Sequence, residues 1–207
     1  MADTASKPTA PDDDIALIDT ASRIALGSFS TDGGFGPFGL IHSGDALFLA
    51  PAESAKDKDA KREFVNVLRY LSIENAGKRT AIAMETWTID MTDPVKTALL
   101  DEIYARGGSM SEHPDVGEAI HVIVESDAGT TMRTHAIVRE ADGLTLAPAQ
   151  TRFSPVGERA ISGTFSAFHI PTDKQSDTIA QAYASGMRGR YDAKYERIVP
   201  SDAPPAN

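Results

Sequence analysis

From Glu118 to Arg139 apolar and polar positions alternate through EAIHVIVES, break at Asp127-Ala128-Gly129 and resume through TTMRTHAIVR, which predicts two strands joined as a hairpin. A three-residue loop closed by Gly129, a type I turn with a glycine bulge, fits those residues. It sets Val124 opposite Met132, Val122 opposite Thr134 and Ile120 opposite Ala136, an almost continuous apolar face. The other face then carries His121 opposite His135, Ile123 opposite Arg133 and Glu125 opposite Thr131. A two-residue loop at Ala128-Gly129 would bring His135 beside Val122 on the apolar side, so the patterning favours the first register.

The same reasoning extends along the chain. Asp12, Asp13 and Asp14 read as N-cap and first-turn acids of a helix bearing Ile15, Ile18, Ala21 and Ala25. FGLIHSGDALFLA reads as a hairpin turning at Ser43-Gly44-Asp45. Phe64, Val67, Leu68 and Leu71 recur at helical spacing between Lys58 and Asn75. Arg79 to Asp90 predicts a long strand in which Ile82 and Met84 alternate with Glu85 and Trp87. Asp93-Pro94 opens a further helix that ends at Gly107. Beyond Arg139 come a turn at Ala141-Asp142-Gly143, a strand LTLAPA, a second strand ISGTFSAFHI, and a helix capped by Thr172 or Ser176 and stopped by Gly186.

Residues 1–11 and 199–207 are small, polar and proline-bearing, the composition of solvated tails. Between them 12–198 reads as a single domain, with a C-terminal helix and arm over about 172–198. The fold class is α+β: a mostly antiparallel sheet of consecutive hairpins with helices packed chiefly on one face.

Composition narrows the function classes. The 207 residues carry a formal net charge of -10, which repels phosphate backbones and disfavours nucleic acid as a partner. There is no cysteine, so disulfides, thiolate nucleophiles and cysteine-based zinc sites are excluded. The first residues lack a basic start followed by an apolar core, and no apolar run reaches the roughly 18 residues of a membrane span. The expected setting is the cytoplasm, without a membrane anchor.

Candidate chemistry centres on the mixed hairpin face. Two imidazoles directly opposed, with Glu125 nearby, have the residue types of a three-ligand metal site. The same histidines equally suit neutral, hydrogen-bonded positions in a sheet, and no metal or cofactor is expected. If the strand bearing Glu85 and Trp87 neighbours the hairpin, His121, His135, Glu125, Arg133, Glu85 and Trp87 would line one small-ligand or acid-base pocket. Gly34-Phe35-Gly36-Pro37-Phe38-Gly39 matches G-x-G-x-x-G literally, but it precedes a strand and Pro37 lacks an N–H, so it reads as a turn that tucks Phe35 or Phe38 into the core. No serine sits in G-x-S-x-G, and His113 and His121 do not form H-E-x-x-H. Arg188, Arg190, Tyr191 and Tyr195 form a basic, tyrosine-bearing arm that suits docking on its own domain or on a partner better than on nucleic acid.

The segments GFGPFG, METW and SEHPDVGEAIHVIVE resemble those of uncharacterised small bacterial α+β proteins that carry a P-F-G segment and an H-P-D-x-x-E-A motif before a strand. The resemblance covers residues 30–140 by motif and implies architecture without activity. The expected function is therefore non-catalytic: a self-associating protein-interaction or assembly protein, its partner being itself as a homo-oligomer or another protein, with a virion or prophage component as one version. The alternative is a small-ligand binder or hydrolase-like enzyme using the His/Glu/Arg face.

Overall fold

A computed structural model describes residues 8–44, 46–52, 57–89, 93–140, 143–158, 167–191 and 196–198. Residues 1–7 and 199–207 of the expected tails lie outside that set.

In chain order the elements are α1 (Asp12–Asp32), β1 (Phe38–Ser43), β2 (Ala46–Pro51), α2 (Lys58–Glu74), β3 (Arg79–Thr88), α3 (Pro94–Ala105), β4 (Gly117–Ser126), β5 (Gly129–Glu140), β6 (Gly143–Leu146), β7 (Gln150–Pro155), α4 (Thr178–Tyr191) and β8 (Glu196–Ile198). Seven strands lie in the order β6-β5-β4-β3-β1-β2-β8, and β7 pairs with the first half of β5. Every pairing is antiparallel. This is the α+β architecture that the alternation predicts.

Local chemistry explains the helix ends. Asp57 caps α2 by accepting from the Ala60 N–H, and Asp93 caps α3 by accepting from Val95 and Lys96. Asp12, Asp13 and Asp14 suit the positive end of α1, yet no side chain caps that helix. The carboxylates of Asp13 and Asp14 are used elsewhere, as described below.

Two cores form because the sheet is covered on both sides. On one face Ile41, Ile82, Met84 and Ile123 pack under α2 and α4, with Phe64, Val67, Leu68 and Leu71 supplied by α2. Leu68 sits directly over Gly39, where any Cβ would collide with its side chain, so α2 approaches β1 closely at that point. On the opposite face Leu40, Ala81, Ala83, Ile120, Val122 and Val124 pack under α1. Small residues on both partners, Ala21 and Ala25 above and Ala81 and Ala83 below, let that helix lie close to the strands.

The central hairpin departs from the expected register by one residue. Ser126 faces Gly129 across a two-residue loop, Asp127-Ala128, so that Val124 faces Thr131, Ile123 faces Met132, His121 faces Thr134 and Ile120 faces His135. One-sided amphipathicity was the wrong criterion, because a central hairpin buried on both faces needs apolar residues at both parities. Gly129 serves a different need as well: a Cβ there would collide with the β7 backbone at Ser154 and Pro155.

Three further expectations are corrected downstream. Residues 150–155 form β7, an element the patterning missed. Between β6 and β7 the residues Ala147, Pro148 and Ala149 oppose only His135 and Ala136, a bulge at a proline that cannot donate to the ladder. Residues 167–170 are irregular rather than a strand, and 161–166 of that expectation lie outside the described residues. Helix α4 runs through Gly186 without stopping, and a Cβ there would meet nothing within 4 Å.

Candidate functional site

The register shift separates the two imidazoles. His121 lies on the α2 face, where Nδ1 and Thr134 Oγ1 are 3.0 Å apart, and His135 lies on the α1 face with Nε2 3.5 Å from Ser22 Oγ. Burial lowers the pKa of both rings, and Arg133 pushes His135 further the same way. Arg133 shares the α1 face, held by Asp19 and by Thr151 Oγ1 at 3.1 Å. Glu85 and Trp87 also point to that face, with Glu85 and His135 on either side of Ile120 in one cross-strand row. Two strand spacings, about 10 Å, and the Ile120 side chain stand between them. Trp87 is 47% exposed, opposite Glu118. Glu125 lies on the α2 face. The six residues thus divide between two faces, and they do not assemble the pocket that a hydrolase-like reading needs. Among the described residues no three His, Asp or Glu side chains converge to hold a metal.

Glu125 instead grips main chain. Its Oε1 accepts from the Ala167 N–H at 2.9 Å, and its Oε2 accepts from Phe168 at 2.8 Å and His169 at 3.0 Å. Arg69 of α2 donates to the Ala167 carbonyl at 2.6 Å, and Asp127 accepts from the Thr172 N–H at 2.9 Å. The acids of the hairpin end therefore clasp the segment that leads to α4. Burial raises the Glu125 pKa against the pull of its three N–H donors and of Arg69. Burial also pushes Asp127 up, but the hydrogen bonds from Thr172 and the nearby His169 outweigh this and hold it below its ordinary value.

His169 completes the clasp and has the residue types of a Ser-His-Asp triad around it. Its Nδ1 lies 3.4 Å from Ser72 Oγ and 3.3 Å from Thr80 Oγ1, and its Nε2 lies 3.6 Å from Asp127 Oδ1. Ser72 is fully buried, so no substrate can reach its hydroxyl. Burial lowers the His169 pKa, with Asp127 opposing in part, and the ring acts as a neutral anchor between helix, sheet and turn. Gln175 ties the same segment down by donating to the Gly77 and Ile170 carbonyls.

At the same end of the sheet, on the α1 face, Arg79 pairs with Asp13 at 2.9 Å and with buried Asp14 at 3.2 Å, and its NH1 lies 3.1 Å from His42 Nδ1. Ser126 donates to Asp14 at 2.8 Å. Sequence reasoning assigned the acids to helix capping and missed this network. The available signal was Arg79, a charge followed by an uncharged run from Thr80 to Met84.

The H-P-D segment has a structural task. His113 is buried, its Nδ1 accepts from the Asp115 N–H at 3.0 Å, and its Nε2 therefore donates to the Lys96 carbonyl at 3.2 Å. In the C-terminal arm, Arg188 makes a two-pronged ion pair with Glu74, and Tyr183 donates to the Asn66 carbonyl at 2.9 Å. The arm begins by docking on its own domain. The side chains of Arg190 and Tyr191, and all of Tyr195, lie outside the described residues.

A concave surface lies beside the glycine-rich turn. A cleft of about 360 Å³ opens between α1 and the end of β2, lined by Ile24, Phe35, Pro37, Phe38, Leu49 and Pro51 among others. Helix α1 stops there because Gly33 takes the left-handed conformation and its N–H returns to the Phe29 carbonyl. Phe38 is buried while Phe35 stays half-buried at the rim, their ring centroids 5.9 Å apart and tilted by 57°. Gly34 lies against Glu85, whose Oε2 would be 3.4 Å from a Cβ at that position.

No protein-family model, curated protein or solved structure matches the chain. Among the described residues no helix is long and apolar enough to cross a membrane.

Proposed function

We propose that this chain is a non-catalytic protein-interaction protein that receives a partner's side chains in the cleft under the Gly34–Phe38 turn. The observation that supports it is an apolar, outward-opening concavity beside the end of β2, with the Phe35 ring in its lining against Phe38. Apolar pockets with well-packed aromatic anchors carry most of the free energy in protein contacts. The ionisable residues of the central hairpin support the same reading, since Glu125, Arg133, His121 and His135 are each engaged within the fold. The cysteine-free composition suits a reducing compartment, and the cytoplasm is part of the proposal. Relationship to the bacterial proteins bearing P-F-G and H-P-D-x-x-E-A segments is likewise proposed, on those motifs alone.

Selection of short peptides from a random displayed library tests the reading. Enriched peptides should bind the purified chain, lose affinity to Phe35→Ala, and ignore Val156→Ser, which alters an exposed apolar residue outside the cleft. Failure to enrich any peptide, or peptides indifferent to Phe35→Ala, would overturn it.

A further inference from the structure

We infer that the segment received by this cleft is basic: a lysine or arginine flanked by aliphatic residues on another protein. The inference rests on the proposed interaction role and adds the chemistry of the partner. Three features in and beside the cleft point to a cation. Helix α1, whose Ile24 and Ser28 line the cleft, ends within the next turn and carries no basic residue there to offset the negative end of its dipole. The Glu85 carboxylate lies against Gly34, a lining residue. The half-buried Phe35 ring can take a cation over its face while the aliphatic stem of the same side chain lies on Pro37 and Leu49.

Size and net charge select the class of occupant. A cleft of about 360 Å³ sits at the lower end of the range for small-molecule pockets and is open, which fits one or two inserted side chains of a polypeptide. A formal charge of -10 steers positively charged partners toward the chain and repels a second copy of it.

The test uses the full chain and three synthetic peptides of one length with the same alternating leucines, the intervening residues being lysine, glutamine or glutamate. Binding is followed by isothermal titration at low and at physiological salt. The lysine peptide should bind about tenfold or more tighter than the glutamine peptide, and the glutamate peptide should not bind measurably. Glu85→Gln should weaken the lysine peptide several-fold and leave the glutamine peptide unchanged. Asp101→Asn, an exposed acid on α3, should alter neither, which separates a local cation site from general attraction to an acidic protein. Equal affinities for the lysine and glutamine peptides, or a lysine peptide indifferent to Glu85→Gln, overturn the basic partner while leaving the cleft as a contact surface. Binding of no peptide, or binding untouched by Phe35→Ala, removes the contact surface itself.

Discussion

Replacing Glu125 with alanine removes the common acceptor of three main-chain N–H groups, at 2.9, 2.8 and 3.0 Å. Hydrogen bonds to an ionised group contribute about 1.5–3 kcal/mol each when buried, and a buried donor left without a partner costs a comparable amount. Two terms reduce the sum. The Ala167 end is open to solvent, where water can replace the lost acceptor, and the carboxylate's own burial is unfavourable, as its raised pKa records. A net loss of about 2–4 kcal/mol is expected for Glu125→Ala. Glu125→Gln, which keeps one acceptor oxygen but turns an amide NH₂ toward a donor, should lose about half as much. Urea denaturation measures both. Native-state hydrogen exchange adds location: the amides of Phe168 and His169 should exchange faster in the alanine variant while those of β3 and β4 keep their relative protection. A loss below about 0.5 kcal/mol, or exchange accelerated evenly over the whole sheet, would refute the idea that this side chain holds the segment leading to α4.

The remaining expectations are simpler. His121, His135 and His169 are all held below the 6.5 of a free ring by burial, so the unfolded chain takes up protons first on acidification. Their stabilising contribution is full above that value and is lost as pH falls through it; the melting temperature should drop between about pH 8 and pH 5.5, and His169→Gln should flatten the slope. Glu125, raised by burial, acts with the opposite sign and cannot cause that drop. A melting temperature that holds steady over this range would contradict the burial of the rings. Leu68→Ala should destabilise by about 2–5 kcal/mol, toward the upper end because the residue beneath it, Gly39, has no side chain to fill the space; a denaturant titration showing almost no loss would contradict the close approach of α2 to β1.

Helix α2 was legible because its apolar residues repeat at helical spacing between two residues suited to ending it, Asp57 and Asn75. The hairpin was legible as a hairpin and misread in register. Alternation identifies which residues of one strand share a face, but the offset between two strands depends on what covers each face, and that is decided by α1 and α2, which are distant in sequence. The candidate site failed with it, since a one-residue offset sends His121 and His135 to opposite sides of the sheet. Glu125 was singled out for a reason the structure does not use. Its partners are main-chain N–H groups more than forty residues away, which carry no side-chain signature in the sequence. The cleft was half legible: the glycine-rich turn and its phenylalanines were visible, while its far wall comes from Leu49 and Pro51 and from Ile24 on α1.

What the hairpin acids hold is peptide backbone, and backbone N–H groups are the same whatever amino acid bears them, proline excepted. The clasp itself therefore reads no side chain at 167, where the left-handed backbone favours a small residue or glycine, whereas position 125 demands a carboxylate, position 168, fully enclosed, demands an aromatic of similar volume, and Ile170 packs on the core. In related chains the acid at 125 should persist however the residue at 167 changes, and a proline appearing at 167 or 169 would mark a lineage in which that attachment has been given up.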